Sequence, residues 1–164
     1  AWLAIRPDMH PKDQIQALNS VFFDKYRFQS NTQQYHAIGN SFINQVLESK
    51  KGNPISMCTI YMLMAQYVGM PVYGVNLPNI FILTYKMDGL QFYINVFNRG
   101  VAFNRDEIDS YIKQMHLEPR DSFYEPCNNE EIIKRVLRNL LLSFDKTENR
   151  DKIADIKQLL AVFD

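Results

Sequence analysis

Few side chains in this chain could carry out covalent chemistry. Its 164 residues include two cysteines, Cys58 and Cys127, and three scattered histidines, His10, His36 and His116. A thiol becomes a nucleophile when a cation, an imidazole or a helix N-terminus draws it toward the thiolate. Cys58 stands four residues after Pro54, one turn further along the same face if the segment is helical. Two readings of it follow: a nucleophile served by a histidine from a loop, His36 or His116, or a small buried hydrophobe of the kind free cysteines usually are. Zinc needs clustered ligands, and these histidines and cysteines show no such spacing. With only 6 glycines there is no glycine-rich phosphate loop. No metal and no cofactor is expected.

The elements that must position these residues are legible from periodicity and punctuation. Ile15, Leu18, Val21 and Phe22 recur at helical spacing over about 11–25. A polar loop runs from Phe28 to Tyr35. Asn40 or Ser41 is expected to cap a second helix with Phe42, Ile43, Val46 and Leu47 on its apolar face, ended at Lys50-Lys51-Gly52. Asn53-Pro54 then opens a third helix, with Asn as cap and Pro in the first turn. From Ile55 to Val68 this helix has almost no polar face, so it must be buried on most sides. Gly69 ends it and Pro71 blocks continuation.

Strands are expected at Val72–Val75, Ile80–Lys86 and Gln91–Phe97, the last two joined by the hairpin dipeptide Asp88-Gly89. In that register Met87 faces Leu90 and Ile80 faces Phe97, which puts Asn95 on the face of Ile80. Asn104 with Glu107, and Asn128 with Glu131, read as capping boxes of two further helices. A last helix carries Ile153, Ile156, Leu159, Leu160 and Phe163. Helices, then strands, then helices give an α+β fold class.

Composition narrows the function. The 18 basic and 18 acidic residues cancel, so neither a nucleic-acid footprint nor a polybasic membrane patch is present, and neither partner is expected. No apolar run reaches the roughly 20 residues of a bilayer span. Two cysteines make no disulfide framework. With no leader in view, the expected compartment is the cytoplasm. The chain starts at Ala1 without Met and stops at Asp164 inside a helical pattern, so it is expected to be a piece of a longer protein.

Several strings now line up in order: Asn40 to Glu48 (NSFINQVLE), Lys51 to Ser56 (KGNPIS), Val68 to Val75 (VGMPVYGV), Leu77-Pro78, and Phe97 to Gly100 (FNRG). Together they resemble the SirB-type branch of the transglutaminase-like superfamily, a bacterial branch with N-S-[YF]-L-x-x-V-L-E, G-x-P-I-S-L, L-G-L-P-V-x-G-V, L-P-G-H-F and D-P-F-N-G-G. The resemblance covers roughly residues 17–145, and Ile132 to Leu142 resembles the family's R-x-L-x-N-L stretch. It implies a papain/transglutaminase-like core: a buried central helix packed on a small antiparallel sheet, flanked by N- and C-terminal helices. One domain over 1–164 is implied, with its core at about 36–126 and a C-terminal helical hairpin at about 127–164. In the family a tetratricopeptide-like helical region often comes next, so the hairpin reads as the start of one.

In that family a Cys at the start of the buried helix, a His and an Asp carry the chemistry. The helix N-terminus stabilises a thiolate, the His moves the proton and the Asp orients the His. The matching positions here are Pro54, Ile80 and Asn95. Proline supplies no nucleophile, isoleucine carries no proton, and asparagine brings no charge. The SirB branch generally has Pro at the first position too. No catalytic residue is therefore assigned. Cys58 is the remaining candidate, but no histidine stands at a motif-matching position to serve it. Ser56 and Asn79 are candidate groove residues. The expected role is a non-catalytic domain that binds a protein, peptide or small ligand, or scaffolds through its C-terminal helices. The alternatives are a divergent cysteine hydrolase or acyltransferase using Cys58, and a structural domain leading into helical repeats.

Overall fold

The computed structural model describes residues 5–163. Ala1 and Asp164, on which the expectation of a longer protein rested, lie outside the described residues. Helix α1 (Pro11–Asn19) runs into a wider π-helical turn at Ser20–Lys25. A two-residue strand β1 (Gln29–Ser30), helix α2 (Ile43–Ser49) and a two-residue strand β2 (Lys51–Gly52) lead to α3 (Pro54–Tyr67). Strands β3 (Val72–Val75), β4 (Ile82–Met87), β5 (Leu90–Asn95) and β6 (Val101–Phe103) follow, then α4 (Arg105–Gln114), α5 (Asn129–Lys146) and α6 (Arg150–Leu160). The class is mixed α+β.

β3 to β6 form one antiparallel sheet in sequence order. β1 and β2 pair in parallel, Gln29 with Lys51 and Ser30 with Gly52, and so bring the loop before α2 against the start of α3. The sheet separates two apolar clusters, and the period of two along its strands decides which residue joins which. Leu83, Tyr85, Phe92 and Ile94 face α3, packing with Met57, Cys58, Tyr61 and the α1 residues Ile15 and Leu18. Ile82 and Tyr93 face the other way, with Ile108 and Ile112 of α4 and with Tyr124. Buried side chains of this size each contribute about 1.5–3 kcal/mol relative to exposure.

α3 is buried along most of its length because it lies between α1 and the sheet. Leu63 and Tyr67 are exposed near its end. The π turn brings Phe22 and Phe23 together onto α3. Phe22 stacks on Phe28 with centroids 4.4 Å apart and meets Tyr61 edge-on at 5.2 Å. The polar groups drawn into this core are paired. The Tyr61 hydroxyl donates to Asn19 Oδ1 at 2.8 Å, and the Tyr85 hydroxyl to Gln14 Oε1 at 3.2 Å. α5 and α6 share a smaller third cluster around Leu140, Phe144 and Ile156, into which Ile38 also packs.

Three local expectations change. Neither Asn40 nor Ser41 caps α2. Both lie buried in a 3-10 turn (Ile38–Ser41), and the cap position is Phe42, whose side chain offers no acceptor. Asn128 accepts from the Glu131 amide at 2.9 Å, but the Glu131 carboxylate turns away to Asn76 at 3.3 Å, so that box is half formed. The long hairpin strands are also shorter than expected. Met87 does pair with Leu90 across the Gly89 turn, which has φ +74°, yet the ladder stops at Leu83 and Ile94. Ile80 and Phe97 do not pair. The Asn95 side chain accepts the Asn98 amide at 3.1 Å and starts a 3-10 turn at Val96–Asn98. A side chain that satisfies a backbone donor locally competes in this way with the strand ladder.

Candidate functional site

The start of α3 is the best-defined polar junction in the fold. Asn53 Oδ1 accepts the Ser56 amide at 3.0 Å, and Ser56 Oγ accepts the Asn53 amide at 3.1 Å, a reciprocal capping box. Asn53 Nδ2 donates to Ser41 Oγ at 2.9 Å, tying the helix start to the 3-10 turn. Pro54 occupies the first helical turn and is buried. Ser56, expected as a groove residue, is 1% exposed and is consumed by the cap.

Above this helix start lies a cleft of about 350 Å³. Asn53 forms its floor. Tyr35 and His36 come from the loop before α2, Asn79 from the β3–β4 turn, and Arg135, Arg138, Asn139 and Ser143 from α5. Each wall is held by a specific contact. Buried Asn40 donates to the carbonyls of Gln34 and Tyr35 at 2.7 and 3.0 Å, fixing the first wall. Asn79 adopts the left-handed conformation at φ 61°, which Asn tolerates better than most residues. Arg135 donates to Asn76 Oδ1 at 2.7 Å and to the Leu77 carbonyl at 3.1 Å, clamping α5 onto the same turn.

Ile80 and Asn95 stand in a second cavity of about 240 Å³, with Leu77, Ile82, Phe103, Glu107, Ile108 and Tyr111. It is mostly apolar. Asn95 is half-buried, and its oxygen is engaged by Asn98.

Cys58 faces neither space. It is 0% exposed, and its Sγ lies 3.4 Å from the Phe81 carbonyl oxygen. Burial pushes its thiol far above the ordinary range, which keeps it protonated at neutral pH. None of the described histidines bonds to it. His10 caps α1 by accepting the Lys12 amide, His36 packs edge-on against Tyr35 at the cleft rim, and His116 sits in a left-handed turn after α4. Among the described residues no group of three or more His, Cys, Asp or Glu could hold a metal ion.

A family model described as the transglutaminase-like superfamily matches residues 1–138. The chain belongs to that superfamily. Its relatives come from bacteria and from mammals. The chain is 30% identical over 145 residues to a UPF0162 protein of Xylella fastidiosa, covering 84% of the chain and 51% of the relative. It is 25% identical over 147 residues to the UPF0162 protein YchA of Escherichia coli, covering 87% and 54%. It is also 30% identical over 146 residues to F-box only protein 21 of Homo sapiens, covering 84% and 23%. The chain thus spans about half the length of its UPF0162 relatives and about a quarter of that of the F-box proteins. No solved structure matches.

The transglutaminase-like chain also carries cleft residues that its catalytic positions do not point to. Arg135, Arg138 and Asn139 enter from α5, far along the sequence. A signal for two of them was present. Arg135 and Asn139 are the Arg and Asn of the R-x-L-x-N-L stretch, where amphipathic spacing alone reads only a helix with an apolar face. Among the described residues, no helix is long and apolar enough to cross a membrane.

Proposed function

We propose that this domain is a non-catalytic member of its superfamily, a binding or scaffolding module that uses the cleft over the start of α3. The observation that carries this is the set Pro54, Ile80 and Asn95 at the positions where the resemblance expects Cys, His and Asp. The nearby thiol of Cys58 is sealed in the core. A nucleophile must reach its substrate and must lose its proton, and Cys58 is placed for neither. The finer assignment, a SirB-type domain with a papain/transglutaminase-like core, agrees with α3 packed on a four-stranded antiparallel sheet.

The test is thiol reactivity. Native protein is treated with a fluorescent iodoacetamide probe near pH 7, and the labelled sites are mapped by mass spectrometry. Cys58 stays unlabelled until denaturant is added. Rapid, selective labelling of Cys58 in the native protein would overturn this reading and favour the alternative of a divergent cysteine hydrolase or acyltransferase.

A second reading, a structural domain leading into helical repeats, draws on the face of α6. Ile156 is buried, but Ile153 and Leu160 are only half-buried, and Leu159 is exposed. A terminal repeat whose next neighbour is missing leaves its face in this condition.

A further inference from the structure

The cleft is built around two cationic side chains that lack a carboxylate partner. Arg135 is half-buried. Its hydrogen bonds go to neutral acceptors, the Asn76 side chain and the Leu77 carbonyl. Burial lowers its pKa, and the neighbouring Arg138 guanidinium lowers it further. Arginine nevertheless stays protonated in proteins. Among the described residues neither Arg135 nor Arg138 makes an ion pair. Arg135 is linked to an acidic group through an amide: Asn76 accepts from Arg135 and donates to Glu131. The half-buried Arg135 charge, with the solvated Arg138 guanidinium nearby, gives the cleft a positive potential that an anion would offset. Beside these charges stand the side-chain amides of Asn79 and Asn139. They offer donors and acceptors of the kind that a peptide backbone needs.

We propose that the cleft recognises a carboxylate carried by an acidic peptide segment of a partner protein, with Arg138 and Arg135 as the anion-binding pair and Asn79 and Asn139 as backbone partners. This rests on the binding-module reading above and names its ligand class. Arg138 is exposed and has no structural bond, whereas Arg135 also holds the β3–β4 turn. Arg138 is therefore the cleaner probe of recognition.

The experiment is fluorescence anisotropy of fluorescein-labelled hexaglutamate titrated with the wild-type domain, with labelled hexaglutamine as the neutral control. Saturable binding of hexaglutamate is expected, at least about tenfold tighter than hexaglutamine, as the loss of one charge-assisted contact implies. It should weaken as salt is raised. Arg138→Gln should lose about tenfold in affinity while its melting temperature stays that of wild type, and Arg138→Lys should recover part of the loss. Arg135→Gln should lose affinity too, and is interpreted only if its melting curve shows it folded. Absence of binding, equal binding of the two peptides, or an Arg138→Gln variant that binds as wild type overturns the proposal. Displacement of hexaglutamate by inorganic phosphate at lower concentration than by free glutamate overturns the carboxylate assignment. Failure here with Cys58 still unreactive removes only the ligand class. Rapid Cys58 labelling with hexaglutamate binding intact removes only the non-catalytic reading.

Discussion

Replacing Gly100 with alanine tests what the Phe97-Asn98-Arg99-Gly100 string does in this fold. Gly100 has φ +70°, a conformation that costs an L-residue about 1–2 kcal/mol. A Cβ at Gly100 would also stand 2.0 Å from Oδ1, 2.6 Å from Cγ and 2.8 Å from Nδ2 of Asn19. The whole amide must swing away, because every atom of it is too close. It then loses its bond to the Gly100 carbonyl at 3.0 Å and the one it accepts from the Tyr61 hydroxyl at 2.8 Å. Each such bond is worth about 0.5–1.5 kcal/mol net. The Ile15 carbonyl, 3.5 Å from the Tyr61 hydroxyl, offers only a partial replacement. Gly100→Ala should therefore destabilise the domain by about 2–4 kcal/mol, which shifts a urea midpoint by about 1–2 M. Asn19→Ala removes the same bonds without the backbone strain. In that background Gly100→Ala should cost only the left-handed term, about 1–2 kcal/mol. The assay is urea unfolding followed by circular dichroism for the four proteins of the cycle. A Gly100→Ala cost below about 1 kcal/mol would refute the strain argument. An equal cost in both backgrounds would refute the role of Asn19.

Two more outcomes are expected. Asn53→Ala removes the cap of α3 and the donor to buried Ser41, and should cost about 1–2 kcal/mol in the same unfolding assay; a loss of only a few tenths would mean that the helix start is held elsewhere. Burial, reinforced by the nearby Glu131 carboxylate, raises the Cys127 thiol to about 11. An unfolded thiol ionises near pH 8.5, so the folded state favours the protonated form. That contribution is fully present below the unfolded value and is lost as pH rises through about 11. Unfolding midpoints should fall across that window, and Cys127→Ala should fall less steeply. Identical slopes for the two proteins would contradict it.

The sequence signals that worked were local ones. Asn53-Pro54 and Gly69 bracket α3 because capping, the first-turn proline and the left-handed glycine all act within a few residues. Asp88-Gly89 sets the Met87–Leu90 pairing for the same reason. What periodicity missed were competitions between partners. Asn95 belongs equally well in a strand or at a cap, and its side chain decides for the Asn98 amide. Glu131 is placed to close a box with Asn128, but Asn76 and Lys134 lie within its reach. The cleft was less legible still. Amphipathic spacing shows that α5 has an apolar face, yet not that Arg135 at its margin meets a turn some sixty residues earlier in the chain.

These particulars separate two kinds of family string. Gly100 serves the bond between α1 and the turn after β5, Asn40 fixes the cleft wall, and Asn53 caps the buried helix. All three lie within the strings that carry the resemblance, and all three do structural work that needs no nucleophile, base or orienting acid. Pro54, Ile80 and Asn95 are likewise accommodated by packing or local hydrogen bonds, with no buried polar side-chain atom among the described residues left unpaired. A catalytic site usually retains strained or strongly perturbed groups at its centre. Here the more strongly perturbed thiol, Cys58, is sealed in the core, and among the described residues Arg135 and Arg138 of α5 line the cleft without a carboxylate partner. On the binding-module proposal, those two guanidinium groups are the part of the cleft that an acidic partner would meet first.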